Sequence, residues 1–405
     1  MYRQSRFFFY CYASLIFLLM CLSNRTLYTN NIPSFLLPII YLIPPFFFLV
    51  ISSKSKASSD ILLLMFYVGV VYFLLYVKNP EVSFFRAIVV SGAFFNVSSV
   101  LILANEDKEK LLDFITNILV VISIFSLAGW VMHLAGFHVP VFQHVDLNDE
   151  LHDLNNHYVY YDNVNEEISI FPRFRGIFIE PGQLATPYAY LFFARGGKIW
   201  DRKNMVLLIS IFLSFSLAGF VIVGLGLFLN SFVGNAKHKF LKIVVFSLIV
   251  GTIAFFVIKA ENSDNPLYSL IIERLEYDEE SGFAGNNRTD DVFDYYFAQF
   301  LKSDDVVFGM GDEIESGDSS WTNHASGIKK FFMNFGLAGI FFMVLLTLGL
   351  LRRNFCSRTV NFFIVIWLAY IARDLLQSQF WLIIAILGFF NLKDIALKEK
   401  SLDKL

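Results

Sequence analysis

Long apolar runs separated by short polar links make up most of this chain. Most of these runs approach the ~20 apolar residues that an α-helix needs to cross a bilayer. Two of them, at about 205–233 and 359–391, are longer than one span requires, and we predict that each folds as a hairpin of two helices. The other runs lie at about 7–23, 32–51, 61–77, 82–104, 111–136, 174–194, 241–258 and 331–351. The pattern predicts an all-α, polytopic membrane protein with about 12 transmembrane helices, folded as a single transmembrane domain over residues 1–405.

The number of spans depends on these two hairpins. The stretch from Ser214 to Gly219 offers small and hydroxyl residues that tolerate a tight turn or interrupted helices, so we place the first break there, near the outer face. Arg373 and Asp374 would mark the outer turn of the second hairpin. A single tilted span over 205–233 is the alternative, and it would put the two long polar loops on opposite sides of the membrane.

Composition and charge agree with a chain built for lipid. Hydrophobic residues make up 56% of the sequence and charged residues only 17%, whereas soluble chains are about half apolar at most. Lys and Arg gather in short links, such as the one with Lys54 and Lys56 and the one with Lys108 and Lys110. The positive-inside rule assigns these links, and with them both chain termini, to the cytoplasm. The 3 cysteines are too few and too scattered for a disulfide framework.

Two long polar segments are predicted to be loops on the outer side. The first covers about 138–173 and has no Lys or Arg before Arg173, and the second, about 259–328, is rich in Asp, Glu, Asn and Gly. The histidines of the first loop are His138, His144, His152 and His157. Their spacing fits no metal-binding helix motif, and the acids of the second loop show no regular ligand spacing. We therefore predict no metal site in either loop.

A few ionisable residues interrupt the apolar runs, where a charge is costly and marks a functional candidate by default. They are Arg86, His133, Glu180, Arg373 and Asp374. All fall toward the predicted outer ends of their runs, so they should meet the two outer loops near the boundary of the outer leaflet. A proton-coupled carrier would be expected to hold some charges near the bilayer midplane, so this distribution counts against a transporter.

The stretch from Phe171 to Gly182 is the most informative part of the first loop. Arg173 and Arg175 end the loop, and Glu180 is predicted to lie one turn inside the sixth span, next to Pro181. Arginine forks suit phosphate oxygens, so the two arginines could hold a diphosphate at the membrane surface. Two simpler interpretations stay open: the arginines extend to lipid headgroups, or Arg175 and Glu180 form a structural ion pair.

The second loop contains further candidates. An amphipathic stretch from Val292 to Leu301 precedes Phe308-Gly309-Met310-Gly311-Asp312, and a polar link leads to His324. An imidazole titrates near neutral pH and could take the proton of a sugar hydroxyl, so His324 is a plausible general base. A lone loop histidine is equally well explained as a solvated residue.

Together these motifs resemble the Wzy-type O-antigen polymerases, oligosaccharide repeat-unit polymerases within a superfamily that also contains the O-antigen ligases. The residues that carry the resemblance are Arg175-Gly176-Ile177-Phe178-Ile179-Glu180-Pro181, Arg288, Gly309-Met310-Gly311, His324 and Gly336-Leu337-Ala338-Gly339. The resemblance implies a glycosyltransferase-C-like, all-helical fold in the bacterial inner membrane. It also implies an enzyme that uses undecaprenyl-diphosphate-linked sugars at the outer face, without a metal, a nucleotide sugar or another cofactor.

Roles follow from the resemblance residue by residue. Arg175 and Arg288 would bind the diphosphate leaving group with support from Arg173, and Glu180 or His324 would orient or deprotonate the acceptor hydroxyl. Arg86 and Arg373 match no motif and are held as second-rank phosphate contacts. The substrate partner would be the lipid-linked oligosaccharide, with a flippase and a chain-length regulator as candidate protein partners and no nucleic acid. A ligase that transfers finished glycan to lipid A core or protein is the first alternative, and a lipid-linked oligosaccharide flippase is the second.

Overall fold

Helices make up most of the chain, as the apolar pattern predicts. The structure, a computed structural model, describes residues 2–23, 26–27, 32–51, 84–146, 153–163, 172–232, 277–278, 282–283, 291–310, 328–372 and 379–402. The α-helices are α1 (Tyr2–Ser23), α2 (Leu37–Ile51), α3 (Phe84–Ile102), α4 (Asn105–Leu134), α5 (Pro181–Ala194), α6 (Arg202–Leu213), α7 (Leu217–Ser231), α8 (Asp291–Phe300), α9 (Ile328–Arg353), α10 (Ser357–Ala372) and α11 (Gln379–Leu402). The apolar runs predicted at 61–77 and 241–258 lie outside the described residues.

Several of these helices have the length and composition of membrane spans. Among the residues that the structure describes, three helices are long and apolar enough to cross a bilayer: the Arg6–Ser23 part of α1, α4 and α9. Two shorter apolar helices, Leu217–Ser231 and Ser357–Tyr370, accompany them. The length and composition of these helices therefore indicate a helical membrane protein. The number of about twelve spans stays a prediction.

The predicted break in the first long apolar run is confirmed as a break between two helices. Ser214 follows the last residue of α6, and Ser216 caps α7 by accepting a hydrogen bond from the amide of Gly219 at 3.3 Å. Between them, Phe215 adopts a positive φ of 46°, which a helix interior excludes. In the second run the structure describes α10 and α11, and the predicted turn at Arg373 and Asp374 lies outside the described residues, so this break stays a prediction.

The connection with Lys108 and Lys110 differs from its prediction as a polar link. Both residues lie in the first two turns of α4, which begins at Asn105. Glu106 and Asp107 occupy the first turn of this helix, where acidic side chains favour helix initiation through the helix dipole. The polar residues between the two apolar runs are thus the start of a longer helix.

The first polar loop contains β-structure that the sequence pattern did not predict. Strands β1 (Gln143–Asp146), β2 (Asp153–Asn156) and β3 (Tyr161–Asn163) form an antiparallel sheet in the order β1-β2-β3. In the second loop, β4 (Tyr277–Asp278) pairs with β5 (Gly282–Phe283). These small sheets modify the all-α prediction locally and leave the helical class unchanged.

The chain separates into two compact units. The first unit contains Met1–Ser23, Asn31–Ile115 and Arg288–Leu405, and the second contains Asn24–Asn30 and Thr116–Asn287. The second unit contains the three-stranded sheet, α5, α6 and α7.

Candidate functional site

The segment that leads into α5, residues 172–180, is held at several points within the second unit. We call it the arginine segment. The amide of Phe174 donates to the carbonyl of Leu213 at 3.0 Å, and the amide of Leu27 donates to the carbonyl of Ile177 at 2.9 Å. The carbonyl of Gly176 accepts from the amide of Tyr161 at 2.8 Å. Turns and bends in an apolar region are thus stabilised by pairing of their backbone groups.

Arg175 is buried within the arginine segment, with 2% of its surface exposed. Its Nη1 donates to the carbonyl oxygen of Ile179 at 2.8 Å, and its own carbonyl accepts from the amide of Phe178 at 3.1 Å. These two bonds close a turn of five residues around the guanidinium. A buried guanidinium is costly to desolvate, and here the turn fixes it in one position.

Arg173 contacts the break between α6 and α7. Its Nε donates to the carbonyl of Ser214 at 3.2 Å, and Nη2 lies 3.4 Å from the carbonyl of Phe215. The last carbonyls of a helix lack intrahelical partners and carry the negative end of the helix dipole. The half-buried Arg173 side chain therefore supports the carboxyl end of α6 and ties the arginine segment to it.

The position of Glu180 corrects the sequence prediction. It was expected one turn inside the sixth span, but the helix begins at Pro181 and Glu180 is its N-cap, with φ −118° and ψ 143°. The Glu180 side chain makes no capping hydrogen bond to the helix, and it is half-buried. Glu180 therefore occupies the N-cap position, at the positive end of the α5 dipole, but its carboxylate does not accept a hydrogen bond from the first turn of the helix.

Helix α5 forms a buried support for this end. All of its residues except Gln183 are buried, and the Tyr188 hydroxyl pairs with that of Ser123 on α4 at 2.7 Å. With 14 residues, α5 is about 21 Å long, shorter than the ~30 Å hydrocarbon core. The predicted span over 174–194 is thus a short buried helix preceded by the non-helical arginine segment.

His133 belongs to a different group of side chains, the His–Asp cluster of His133, His157 and Asp162. Their ligating atoms all lie within 4.8 Å of one another. Asp162 Oδ2 lies 3.0 Å from His157 Nε2 and 3.7 Å from His133 Nε2. The His157 and Asp162 side chains are 2% and 5% exposed, whereas His133 is 29% exposed at the end of α4.

The surroundings of His157 favour its charged form. Burial lowers its pKa most, but the hydrogen bond and charge of Asp162, with the carbonyls of Pro140 and Val139, together raise the pKa above its usual value. The ring of His157 stacks on that of Tyr160, with centroids 4.6 Å apart.

The His–Asp cluster adjoins the arginine segment through β3. Tyr161, the neighbour of Asp162, donates its amide to Gly176, which follows Arg175. The hydroxyl of Ser126 on α4 donates a hydrogen bond to the carbonyl of Val159, which lies between β2 and β3. The loop with the cluster is therefore joined to α4 and to the arginine segment.

The glycine motifs of the resemblance have a structural role in the first unit. Gly336 interrupts α9 with φ 64° and ψ −167°, and Gly309 has φ 77°. A Cβ on Gly336 would lie 2.5 Å from the amide nitrogen of Gly309, and a Cβ on Gly309 would collide with the carbonyl oxygen of Asn334. Met310 donates its amide to Met333 at 2.7 Å, and Ala338 donates to Val307 at 2.9 Å. The two motifs therefore form one close contact between backbones.

Other candidates fall where the structure gives no side-chain description. Arg288, His324, Arg373 and Asp374 lie outside the described residues. Arg86 lies in α3, but its side chain is also outside them. Arg173, Arg175 and Glu180 thus belong to the arginine segment, whereas His133 belongs to the His–Asp cluster, which β3 joins to that segment.

The comparisons with known proteins give no relative from which a role could be transferred. No family model matches this chain, and no match was found among curated proteins or solved structures.

Proposed function

We propose that this chain is a membrane-embedded glycosyltransferase that polymerises undecaprenyl-diphosphate-linked oligosaccharide repeat units at the outer face of the bacterial inner membrane. The proposal rests on the resemblance of its motifs and on one structural observation. Arg175, a buried and fixed cation, lies five residues before Glu180, a half-buried carboxylate that does not cap its helix. A fixed cation can stabilise the charge on a diphosphate leaving group, and a carboxylate can accept the proton of an acceptor hydroxyl.

The reaction would be a displacement at the anomeric carbon of the growing chain. The acceptor hydroxyl of the new repeat unit forms the new C–O bond, and the bond from the anomeric carbon to the diphosphate oxygen breaks. The hydroxyl proton passes to a carboxylate or an imidazole, for which Glu180 and His324 are the candidates. Undecaprenyl diphosphate leaves with both electrons of the broken bond.

Arginine would supply the electrostatic part of this step. The guanidinium stays charged at all relevant pH values and donates paired hydrogen bonds to phosphate oxygens. Because Arg175 is already held by the turn, it needs little reorganisation as negative charge develops on the leaving group. Arg173 supports this arrangement through its contacts at the end of α6. The role of Arg288 rests on the resemblance alone.

A cellular test compares glycan length profiles in a strain that lacks the chain. Loss of a polymerase leaves single repeat units attached to the acceptor core, and the wild-type chain should restore a ladder of lengths. The double variant Glu180→Gln/His324→Gln should fail to restore it, while the exposed Arg202→Ala in the same unit should restore it fully. Long chains accumulating on the lipid carrier in the deletion strain would instead identify a ligase and overturn the proposal.

A further inference from the structure

The His–Asp cluster has the spacing of ligands around a metal ion. Zn²⁺ binds imidazole nitrogens and carboxylate oxygens at about 2.0–2.2 Å in tetrahedral geometry, which places neighbouring ligand atoms roughly 3.3 Å apart. The two distances from Asp162 Oδ2, 3.0 Å to His157 and 3.7 Å to His133, lie on either side of this value. Small side-chain movements would therefore bring all three atoms onto one ion.

The hydrogen bonds of His157 leave a place for a cation. Its Nδ1 lies 3.1 Å from the carbonyl oxygen of Pro140, and its Nε2 lies 3.0 Å from the Asp162 carboxylate. Both neighbours are acceptors, but a neutral imidazole carries only one N–H. With Nδ1–H donating to Pro140, Nε2 faces the Asp162 carboxylate, and the place between them is filled by a proton in the charged ring or by a metal ion that replaces that proton. A backbone carbonyl on the second ring nitrogen is also the usual way in which a metal-bound histidine is oriented.

A second, independent observation concerns the remaining polar atoms of the cluster. Asp162 is buried, and within the described chain its Oδ1 has no hydrogen-bond partner. The hydroxyl of the fully buried Tyr160, whose ring stacks on His157, likewise has none among the described residues. Burying a carboxylate with an unsatisfied oxygen is costly, and a bound divalent cation offsets this cost.

We propose that His133, His157 and Asp162 form a Zn²⁺ site that clamps the loop between β2 and β3 to the carboxyl end of α4. Two imidazoles and one carboxylate suit Zn²⁺ better than Mg²⁺ or Ca²⁺, which prefer oxygen ligands. The partial exposure of His133 leaves the fourth position to a water molecule. Because Tyr161 of this loop bonds to Gly176, the clamp also stabilises the arginine segment. The site is structural and takes no part in the proposed glycosyl transfer.

The test uses the full chain, purified in detergent and stripped of metal with a chelator. Zn²⁺ is then titrated in competition with a chromophoric chelator, with Mg²⁺ as the control ion. We expect one Zn²⁺ per chain, an increase in the thermal unfolding temperature with Zn²⁺ but not with Mg²⁺, and visible absorption typical of four-coordinate Co²⁺ when Co²⁺ is used instead. No glycan substrate is present, so the result does not depend on the proposed function.

Three variants make the test specific. His133→Ala and Asp162→Asn should weaken Zn²⁺ binding at least tenfold and abolish the thermal shift. His138→Ala changes an exposed histidine of the same loop and should bind Zn²⁺ like the wild type. His133 is the least buried ligand, so its variant should remain folded, as a single symmetric peak in size-exclusion chromatography would establish. Absence of saturable binding by the wild type, or equal binding by folded His133→Ala, would overturn the proposal.

Discussion

The guanidinium of Arg175 donates a hydrogen bond from Nη1 to the carbonyl oxygen of Ile179 at 2.8 Å. This bond closes the turn that precedes α5, so one side chain both shapes the arginine segment and fixes a positive charge inside it. Replacing the guanidinium by another cation tests whether its fixed donors matter for the reaction as well as for the turn.

Arg175→Lys keeps the positive charge but loses the planar fork. We expect the rate of polymerisation to fall about 100-fold, because a point charge cannot reproduce the fixed donors of a guanidinium. The measurement is the initial rate of product formation at equal amounts of folded protein. Arg202→Ala, an exposed arginine of the same unit, is the matched control. A rate equal to the wild type would show that the reaction does not need the guanidinium geometry of Arg175.

Glu180→Gln removes the carboxylate while keeping the shape of the side chain. Because glutamine keeps the size and shape of the side chain, the thermal unfolding temperature should change little, whereas the rate should fall by roughly 10²–10⁴ if Glu180 is the general base. Comparison with His324→Gln decides between the two candidates. The larger loss identifies the base, and wild-type rates for both variants would rule out both assignments.

Arg173→Gln should reduce stability through the helix break. The substitution removes the charged donor from the carbonyls of Ser214 and Phe215, and a loss of about 1–2 kcal/mol in the free energy of unfolding is expected for a half-buried contact of this kind. Thermal unfolding in detergent provides the measurement. Arg202→Gln, at the other end of α6, should be nearly neutral. An unchanged unfolding temperature for Arg173→Gln would contradict the structural role.

Gly336→Ala tests the contact between the two glycine motifs. Its added Cβ would lie 2.5 Å from backbone atoms of Gly309 and Val307, so the backbone must move, and we expect destabilisation on the order of 3 kcal/mol. Gly136→Ala is a matched control, because Gly136 also has a positive φ, 83°, but has no atom within 4 Å of the added Cβ. It should cost only about 1 kcal/mol from backbone strain. Equal unfolding temperatures for the two variants would contradict the close contact.

Local patterns in the sequence predicted several elements correctly. The hydroxyl and small residues after Ser214 mark a real helix break, and the amphipathic stretch from Val292 to Leu301 corresponds to α8, which buries Phe293 and Phe300 against Met333. In both cases the signal is local, because turn residues and helical periodicity are read from neighbouring positions.

The position of Glu180 was misjudged although the sequence contains the signal. Proline is favoured in the first position of a helix, and Pro181 begins α5, which makes Glu180 the N-cap. The apolar run from 174 predicts one continuous span. Hydropathy alone does not distinguish a helix from a buried irregular segment whose backbone groups are paired elsewhere.

The His–Asp cluster could not be found from residue spacing. His133 comes from the end of a helix, whereas His157 and Asp162 flank a turn between two short strands. At that turn Tyr158 has φ 69°, and its amide donates a hydrogen bond to the side-chain oxygen Oδ1 of Asn156 at 2.8 Å. Such a cluster depends on non-local pairing of the sheet and of the loop with α4, which a search for regular ligand spacing does not detect.

Reconstitution tests the central claim most directly. The purified wild-type chain in liposomes is incubated with defined undecaprenyl-diphosphate-linked repeat units, and glycan length and released undecaprenyl diphosphate are measured together. The account predicts a ladder of integral multiples of the repeat unit, with one undecaprenyl diphosphate released for each bond formed and with both products formed about 100-fold more slowly by Arg175→Lys. Repeat units that remain single and lipid-linked, with no undecaprenyl diphosphate released by the folded wild-type protein, would contradict it.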